Sequence, residues 1–241
     1  MKGIKSIIAV LCVSMGLGSC GMSNAAKGGM IGGAAGGAAG SAIGAGIGAL
    51  AGGKHGAKIG AAIGAGVGVA AGGTAGALIG KKMDRAKAAA QAVENAQVTM
   101  VKDVNGLDAV KVTFDNGILF KQGKAELQAA AKTSLQNFAS KVLNVYTDCD
   151  VTIRGFASSE GSEATNLTVS QNRANSVKNY LTGSCSVSSA QIKETSGLGE
   201  NPNYLIRDAN GNELKEASRR VEVYLYASEA MIKAANEGTL K

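Results

Sequence analysis

Two patterns of apolar and polar positions divide the chain. From about Val98 to Ala227 the alternation is that of an ordinary folded domain, whereas glycine recurs at every fourth position from Gly28 to Gly80 without a miss. Within the first region, AVKVTF (Ala109 to Phe114) alternates like a half-buried strand, and Ile118 to Phe120 follows a turn at Asp115, Asn116 and Gly117. Leu127, Ala131, Leu135, Phe138 and Val142 stand at helical spacing over 124–143. A second strand is predicted over 151–156, a second helix over 164–181, a short strand over 191–197 and a last strand over 220–226. The order predicts an α+β fold, a β-α-β-α-β-β sandwich of two layers.

The glycine grid follows a different logic. Positions four apart share one face of a helix, so a glycine at each leaves a groove into which another backbone fits. Each four-residue step overshoots a full turn by roughly 40°, so the stripe spirals and meets more than one neighbour. This predicts a homo-oligomer assembled through the glycine zipper. The runs 28–53 and 59–80 carry no charge and are separated by Lys54, His55 and Lys58, which predicts a helical hairpin. At about 1.5 Å per residue each run is long enough to cross about 30 Å of hydrocarbon. Strongly apolar residues are few in both, so insertion depends on pairing between helices. Residues 81–97 read as a charged helical linker whose lysines and arginine suit a membrane boundary, and 229–241 as a C-terminal tail.

The N-terminus sets the compartment. Lys2 and Lys5 precede an apolar stretch, Ile7 to Leu17, that is too short for a stop-transfer helix and has signal-peptide form. It ends Leu17-Gly18-Ser19-Cys20, which resembles the lipobox of bacterial lipoproteins. That resemblance implies a signal peptide over 1–19, lipidation of Cys20 and a lipidated tether over 20–27. Several acyl chains anchor a protein stably. Gly21 rather than aspartate after the cysteine implies the outer membrane, with the folded domain in the periplasm and lipid as a partner. Of four cysteines, Cys12 leaves with the signal and Cys20 carries lipid. Cys149 and Cys185 stand at the start of a strand and the end of the helix that returns beside it, so a disulfide between them is expected in an oxidising periplasm.

Composition narrows the function. Removing Lys2 and Lys5 lowers the net charge from +7 to +5, a mild excess without the clustered basic and aromatic surface that nucleic acid requires. The single histidine, His55, lies in the turn of the hairpin, so no Ser-His-Asp or Cys-His arrangement can form in the domain. No cysteine and histidine cluster suits zinc, and no metal or cofactor is expected. Gly48 to Lys54 imitates a phosphate-binding loop, but His55 replaces its Ser/Thr and no strand precedes it. The chain reads as a binding protein, not an enzyme.

Four strings then carry a family resemblance: ILFKQGKAEL, IRGFASSEGSEATNLTVSQNRANSV, GLGENP and SRRVEVYL, in that order along 98–228. Together they resemble the OmpA-like peptidoglycan-binding module of OmpA C-termini and peptidoglycan-associated lipoproteins. The resemblance implies that the central segment holds the diaminopimelate of a peptidoglycan stem peptide. Arg173 stands where the family arginine takes the ligand carboxylate, a role its planar fork suits. Asn166 matches the family asparagine, and Gly155 and Gly161 its turn glycines. Ser158 replaces the aspartate that takes the ligand ammonium, and Glu160, two residues on, is the candidate substitute. The implied ligand set is therefore Arg173, Asn166, Ser158, Glu160 and Gly155, with Arg219 and Arg220 read as structural. Three readings of the domain stay open: peptidoglycan binding, binding of another wall polymer, and a structural role. The function expected is an outer-membrane lipoprotein that tethers the membrane to peptidoglycan. The alternative is a glycine-zipper scaffold or pore with the domain as its foot.

Overall fold

A computed structural model describes residues 73–103, 106–121 and 123–240. The expected signal peptide, Cys20, His55 and the grid up to Gly72 lie outside the described residues. The elements are α1 (Thr74–Gln91), β1 (Ala96–Lys102), β2 (Asp108–Asp115), a short turn of helix α2 (Asn116–Leu119), α3 (Ala129–Phe138), β3 (Cys149–Phe156), α4 (Glu163–Ser184), β4 (Ile192–Gly197), a short α5 (Lys215–Ser218), β5 (Arg220–Ala227) and α6 (Glu229–Asn236). One sheet has the order β1-β2-β5-β3-β4, antiparallel throughout except for the parallel pair β3 and β4. From β2 onward the long elements run β2-α3-β3-α4-β4-β5, the order the alternation predicts.

One face of the sheet is the apolar face. Val110, Val112 and Phe114 of β2, Val151 and Ile153 of β3 and Val221, Val223 and Leu225 of β5 are all fully buried there. The helices close over it with Leu135, Phe138, Val177 and Leu181, and Phe114 meets Phe138 edge to face at 5.6 Å. The opposite register positions are polar. Arg154, Glu222 and Arg220 are buried there, with Arg220 Nε donating to Glu222 at 2.7 Å and stacking over Phe156 at 4.0 Å. Arg154 lies over the Tyr224 ring, and its Nε and Nη2 are buried without a hydrogen-bond partner.

Helix α4 sits on the ends of β3 and β4 at backbone distance. A Cβ added to Gly155 would lie 2.1 Å from the Ser170 carbonyl oxygen, and one added to Gly197 would lie 2.2 Å from the Gln171 nitrogen. Polar side chains lock this contact: Gln171 Oε1 accepts from Gly197 N at 2.8 Å, and Ser170 Oγ accepts from Gly199 N at 2.9 Å. Ser162 caps the helix by accepting from Thr165 N. The buried stripe of α4 is polar in its first half (Asn166, Ser170, Arg173) and apolar in its second (Ala174, Val177, Leu181). The second half anchors the helix in the core, and the first half presents polar groups at one end of the sheet.

The structure corrects four expectations. Helix α1 is not a linker: Ala75, Ile79, Met83, Ala86 and Ala90 are buried in the core, and α1 packs on β1, β2 and α6. The last two glycines of the grid, Gly76 and Gly80, are buried in this contact and serve packing within the chain. The helix starts after Gly73, whose φ of 75° and ψ of −123° are open only to glycine. Residues 74–80 of the second uncharged run thus belong to α1, and the rest of the expected hairpin lies outside the described residues. Among the described residues no helix is long and apolar enough to cross a membrane. Secondly, 229–241 is not a free tail, since α6 buries Met231, Ile232 and Ala235 and is capped by Ser228. Thirdly, the helix expected from 124 begins at Ala129, and the turn expected at 115–117 continues as a helical turn through Leu119. Finally, the expected disulfide is absent: Cys149 and Cys185 are both buried free thiols. Burial pushes both thiols up, Cys149 most strongly, so both stay protonated and pack as small apolar groups.

Two stability measurements follow from this packing. Gly155→Ala forces a Cβ against backbone that cannot swing aside, and it should lower the urea-unfolding stability by about 3 kcal/mol. Gly183→Ala, in open space on the same helix, should raise it by up to about 1 kcal/mol. Equal midpoints for the two variants would contradict the close seating of α4. A chain beginning at residue 97 loses the burial of Ile79 and Met83, each side chain contributing about 1.5–3 kcal/mol. It should melt well below a chain beginning at residue 73, and equal melting temperatures would contradict the assignment of α1 to the core.

Candidate functional site

The first half of α4 and the loop that feeds it form the site. The loop 157–162 leaves β3 paired to the segment after β4, with Leu198 N donating to Gly155 O at 2.9 Å and Ala157 N to Gly199 O at 2.8 Å. It turns at Gly161, where φ is 101°. Asn166 is its internal clamp: Nδ2 donates to Ser158 O at 3.1 Å, to Glu160 O at 2.9 Å and to the Glu200 carboxylate. Glu213 holds the loop from outside by accepting from the Ser159 backbone N–H at 3.1 Å and from its hydroxyl. Ser158 is 2% exposed.

Arg173 lies two turns beyond Asn166 and is 3% exposed. Its Nε donates to Lys124 O at 3.0 Å and its guanidinium carbon stands 5.4 Å from the centre of the Phe120 ring. The chain brings those partners in by turning back after α2: Phe120 bridges to Leu127, and Gly123 adopts a φ of 69° in the turn between them. Among the described residues no carboxylate forms an ion pair with Arg173. Burial, and next the charge of nearby Arg219, lower its pKa from the ordinary arginine value. This is a buried cation with one aromatic ring and one carbonyl beside it, and with no anionic partner among the described residues.

Glu160 stands in the opposite condition. Its Oε1 is 3.0 Å from Lys215 Nζ, and its Oε2 is 2.6 Å from Arg219 Nη1 and 3.4 Å from Ser158 Oγ. Arg219 also bonds Ser158 Oγ at 3.4 Å and pairs with Glu216. The hydrogen bond from Lys215, followed by the Lys215 and Arg219 charges, lowers the Glu160 pKa below the usual glutamate range.

The structure thus gathers Ser158, Glu160 and Asn166 around one loop, while Arg173, two turns along the same helix, meets Lys124 O and the Phe120 ring instead. Gly155 is not open to a ligand, because the Ser170 backbone covers its α-carbon; its place in the site is to let α4 approach. Arg220 holds the framework, donating to Tyr204 O at 3.1 Å and Ser218 O at 3.2 Å. Its neighbour Arg219 faces the loop, and sequence reading missed this, as it missed Lys215, Phe120 and Glu213. Strand alternation carried the one available signal: Arg219 and Arg220 are adjacent, so they project to opposite sides.

Comparison with known proteins agrees with this architecture. Residues 119–230 match the model of the OmpA family, so this part of the chain is an OmpA-family domain. A MotB-like protein from Desulfovibrio vulgaris is 22% identical, with a TM-score of 0.50 over 63% of this chain and 94% of that one. The cell wall anchor of the T6SS from Pseudomonas aeruginosa is 19% identical, with a TM-score of 0.46 over 61% and 97% of the two chains. The peptidoglycan-associated lipoprotein from Burkholderia pseudomallei is 22% identical, with a TM-score of 0.38 over 45% and 87%. No curated protein matches the sequence. Such likeness is one of fold, and α1, β1 and β2 precede the part that matches the family.

The Glu160 pairing has a measurable sign. A carboxylate whose pKa is depressed on folding contributes stability above its unfolded pKa and loses it as pH falls through the lowered folded value. In an NMR titration Glu160 should therefore protonate at lower pH than glutamate in an unstructured peptide, and Lys215→Ala should move it back up. A midpoint at the peptide value in the unaltered chain would contradict the pairing.

Proposed function

We propose that this chain is a non-enzymatic tether that binds a peptidoglycan stem peptide through Arg173 and is held to the outer membrane by acyl chains on Cys20. The observation that carries the reading is the Arg173 guanidinium, 3% exposed and without an anionic partner among the described residues. An uncompensated buried charge is costly, so a ligand carboxylate that pairs with it gains more than it would at an exposed arginine. Phe120 lies near the guanidinium and Lys124 O accepts from its Nε, which leaves the remaining N–H groups for a carboxylate to meet as a fork. Stem peptides of the wall carry such carboxylates. The OmpA-family match over 119–230 supports the same ligand, and the lipobox-like Leu17 to Cys20 with Gly21 supports the outer-membrane placement and a periplasmic domain.

The test is retention of the full chain, in detergent, on isolated peptidoglycan sacculi. A hydrogen-bonded pair to a charged group contributes about 1.5–3 kcal/mol. Arg173→Ala should therefore reduce retention roughly 10- to 150-fold. Arg173→Lys keeps the charge without the fork and should fall between, and a thermal melt of each variant separates lost binding from lost fold. Retention of a folded Arg173→Ala variant equal to that of the unaltered chain would contradict the proposal.

A further inference from the structure

Resting on the tether reading, we infer that Glu200, and not Glu160, receives a free side-chain ammonium of the stem peptide whose carboxylate pairs with Arg173. Glu200 is half-buried and follows the segment after β4 that pairs with the end of β3 and the start of the loop. Among the described residues one donor reaches its carboxylate, Asn166 Nδ2 on Oε2, and no lysine or arginine forms an ion pair with it. That donor is over-committed. Asn166 Nδ2 also faces Ser158 O at 3.1 Å and Glu160 O at 2.9 Å, and an amide nitrogen has only two hydrogens to share among three acceptors. The Glu200 carboxylate is therefore short of donors, and its partial burial limits how far water makes up the deficit. An ammonium brings three N–H groups and the opposite charge.

Glu160 also has oxygen that can accept, but each of its oxygens already meets a cation, Lys215 at 3.0 Å and Arg219 at 2.6 Å. An ammonium arriving there is a third cation on one carboxylate, and two like charges repel it. At Glu200 it has no competitor within ion-pair distance among the described residues. The helix sets the spacing of the two unpaired charges. Asn166, which holds Glu200, and Arg173 are seven residues apart on α4, about 10 Å along the axis and within about 20° on its face. Two or three peptide residues cover that span at about 3.3–3.6 Å each. A stem peptide with a free diamino-acid amine meets both ends, whereas one whose amine is acylated keeps only the pairing at Arg173. Asn166 acts as the positioning residue, and Glu200 distinguishes the two ligands.

The experiment uses the full chain in detergent and one batch of sacculi, half of it N-acetylated with acetic anhydride, both halves then being treated with mild alkali to remove ester-linked acetyl groups. The unaltered chain should be retained about tenfold less on the acetylated half, the loss expected for one charge-assisted hydrogen bond. Glu200→Gln keeps an oxygen for Asn166 and removes only the charge. It should fall by a similar factor on untreated sacculi and be indifferent to acetylation, with a thermal melt confirming its fold. A folded Glu200→Gln variant that still loses retention on acetylation places the amine at another carboxylate and overturns the role given to Glu200. Equal retention of the unaltered chain on both halves overturns the inference while leaving the tether reading intact. No retention of the unaltered chain on either half overturns the tether reading, and this inference with it.

Discussion

The contact between the backbone of α4 and the glycines of β3 and β4 is the constraint from which the site derives. Gly155 and Gly197 let Ser170 and Gln171 approach to distances that a methyl group would forbid. Because the helix is seated there, one turn in the N-terminal direction places Asn166 under the loop 157–162, and one turn in the other direction places Arg173 beside Phe120. The apolar half of the helix supplies the free energy that holds this seat, through Ala174, Val177 and Leu181 in the core. Positioning and stability thus come from different halves of one element. A side chain on a rigid helix is held more precisely than one on a loop.

Electrostatics divides the site into two parts of unlike readiness. Glu160 meets two cations, and among the described residues Arg173 meets no anion. The fold bears the cost of that isolated guanidinium through the Phe120 ring and the Lys124 carbonyl, neither of which carries a formal charge. Arg220 is treated differently, with Glu222, two carbonyls and the Phe156 ring around it, whereas Arg154, like Arg173, is buried without an ion pair among the described residues and lies over a ring.

Much of this was legible in the sequence. The strands at 151–156 and 220–226 and the helix at 164–181 lie within three residues of β3, β5 and α4, because alternation and helical spacing there are unbroken by competing signals. The α3 start was misplaced because Phe120 bridges Leu127 and pulls the intervening residues into a turn, a tertiary contact with no local signature. The apolar stripe Ala75, Ile79, Met83, Ala86, Ala90 crosses the end of the glycine grid, so a division at Gly80 hid a core helix in two halves. Arg173 and Asn166 were named as candidates through the family resemblance. Arg219 and Lys215 were not, since their meeting with Glu160 spans more than fifty residues and only the folded chain brings them together.

The central claim is that the Arg173 guanidinium is the group that receives the ligand. The most direct measurement follows the side-chain Nε–H resonances of arginine in the full chain by NMR while a soluble stem-peptide fragment is added. The account predicts a saturable shift at Arg173, with Arg220 and Arg154 unmoved. A fragment that binds while Arg173 Nε–H stays in place would contradict it.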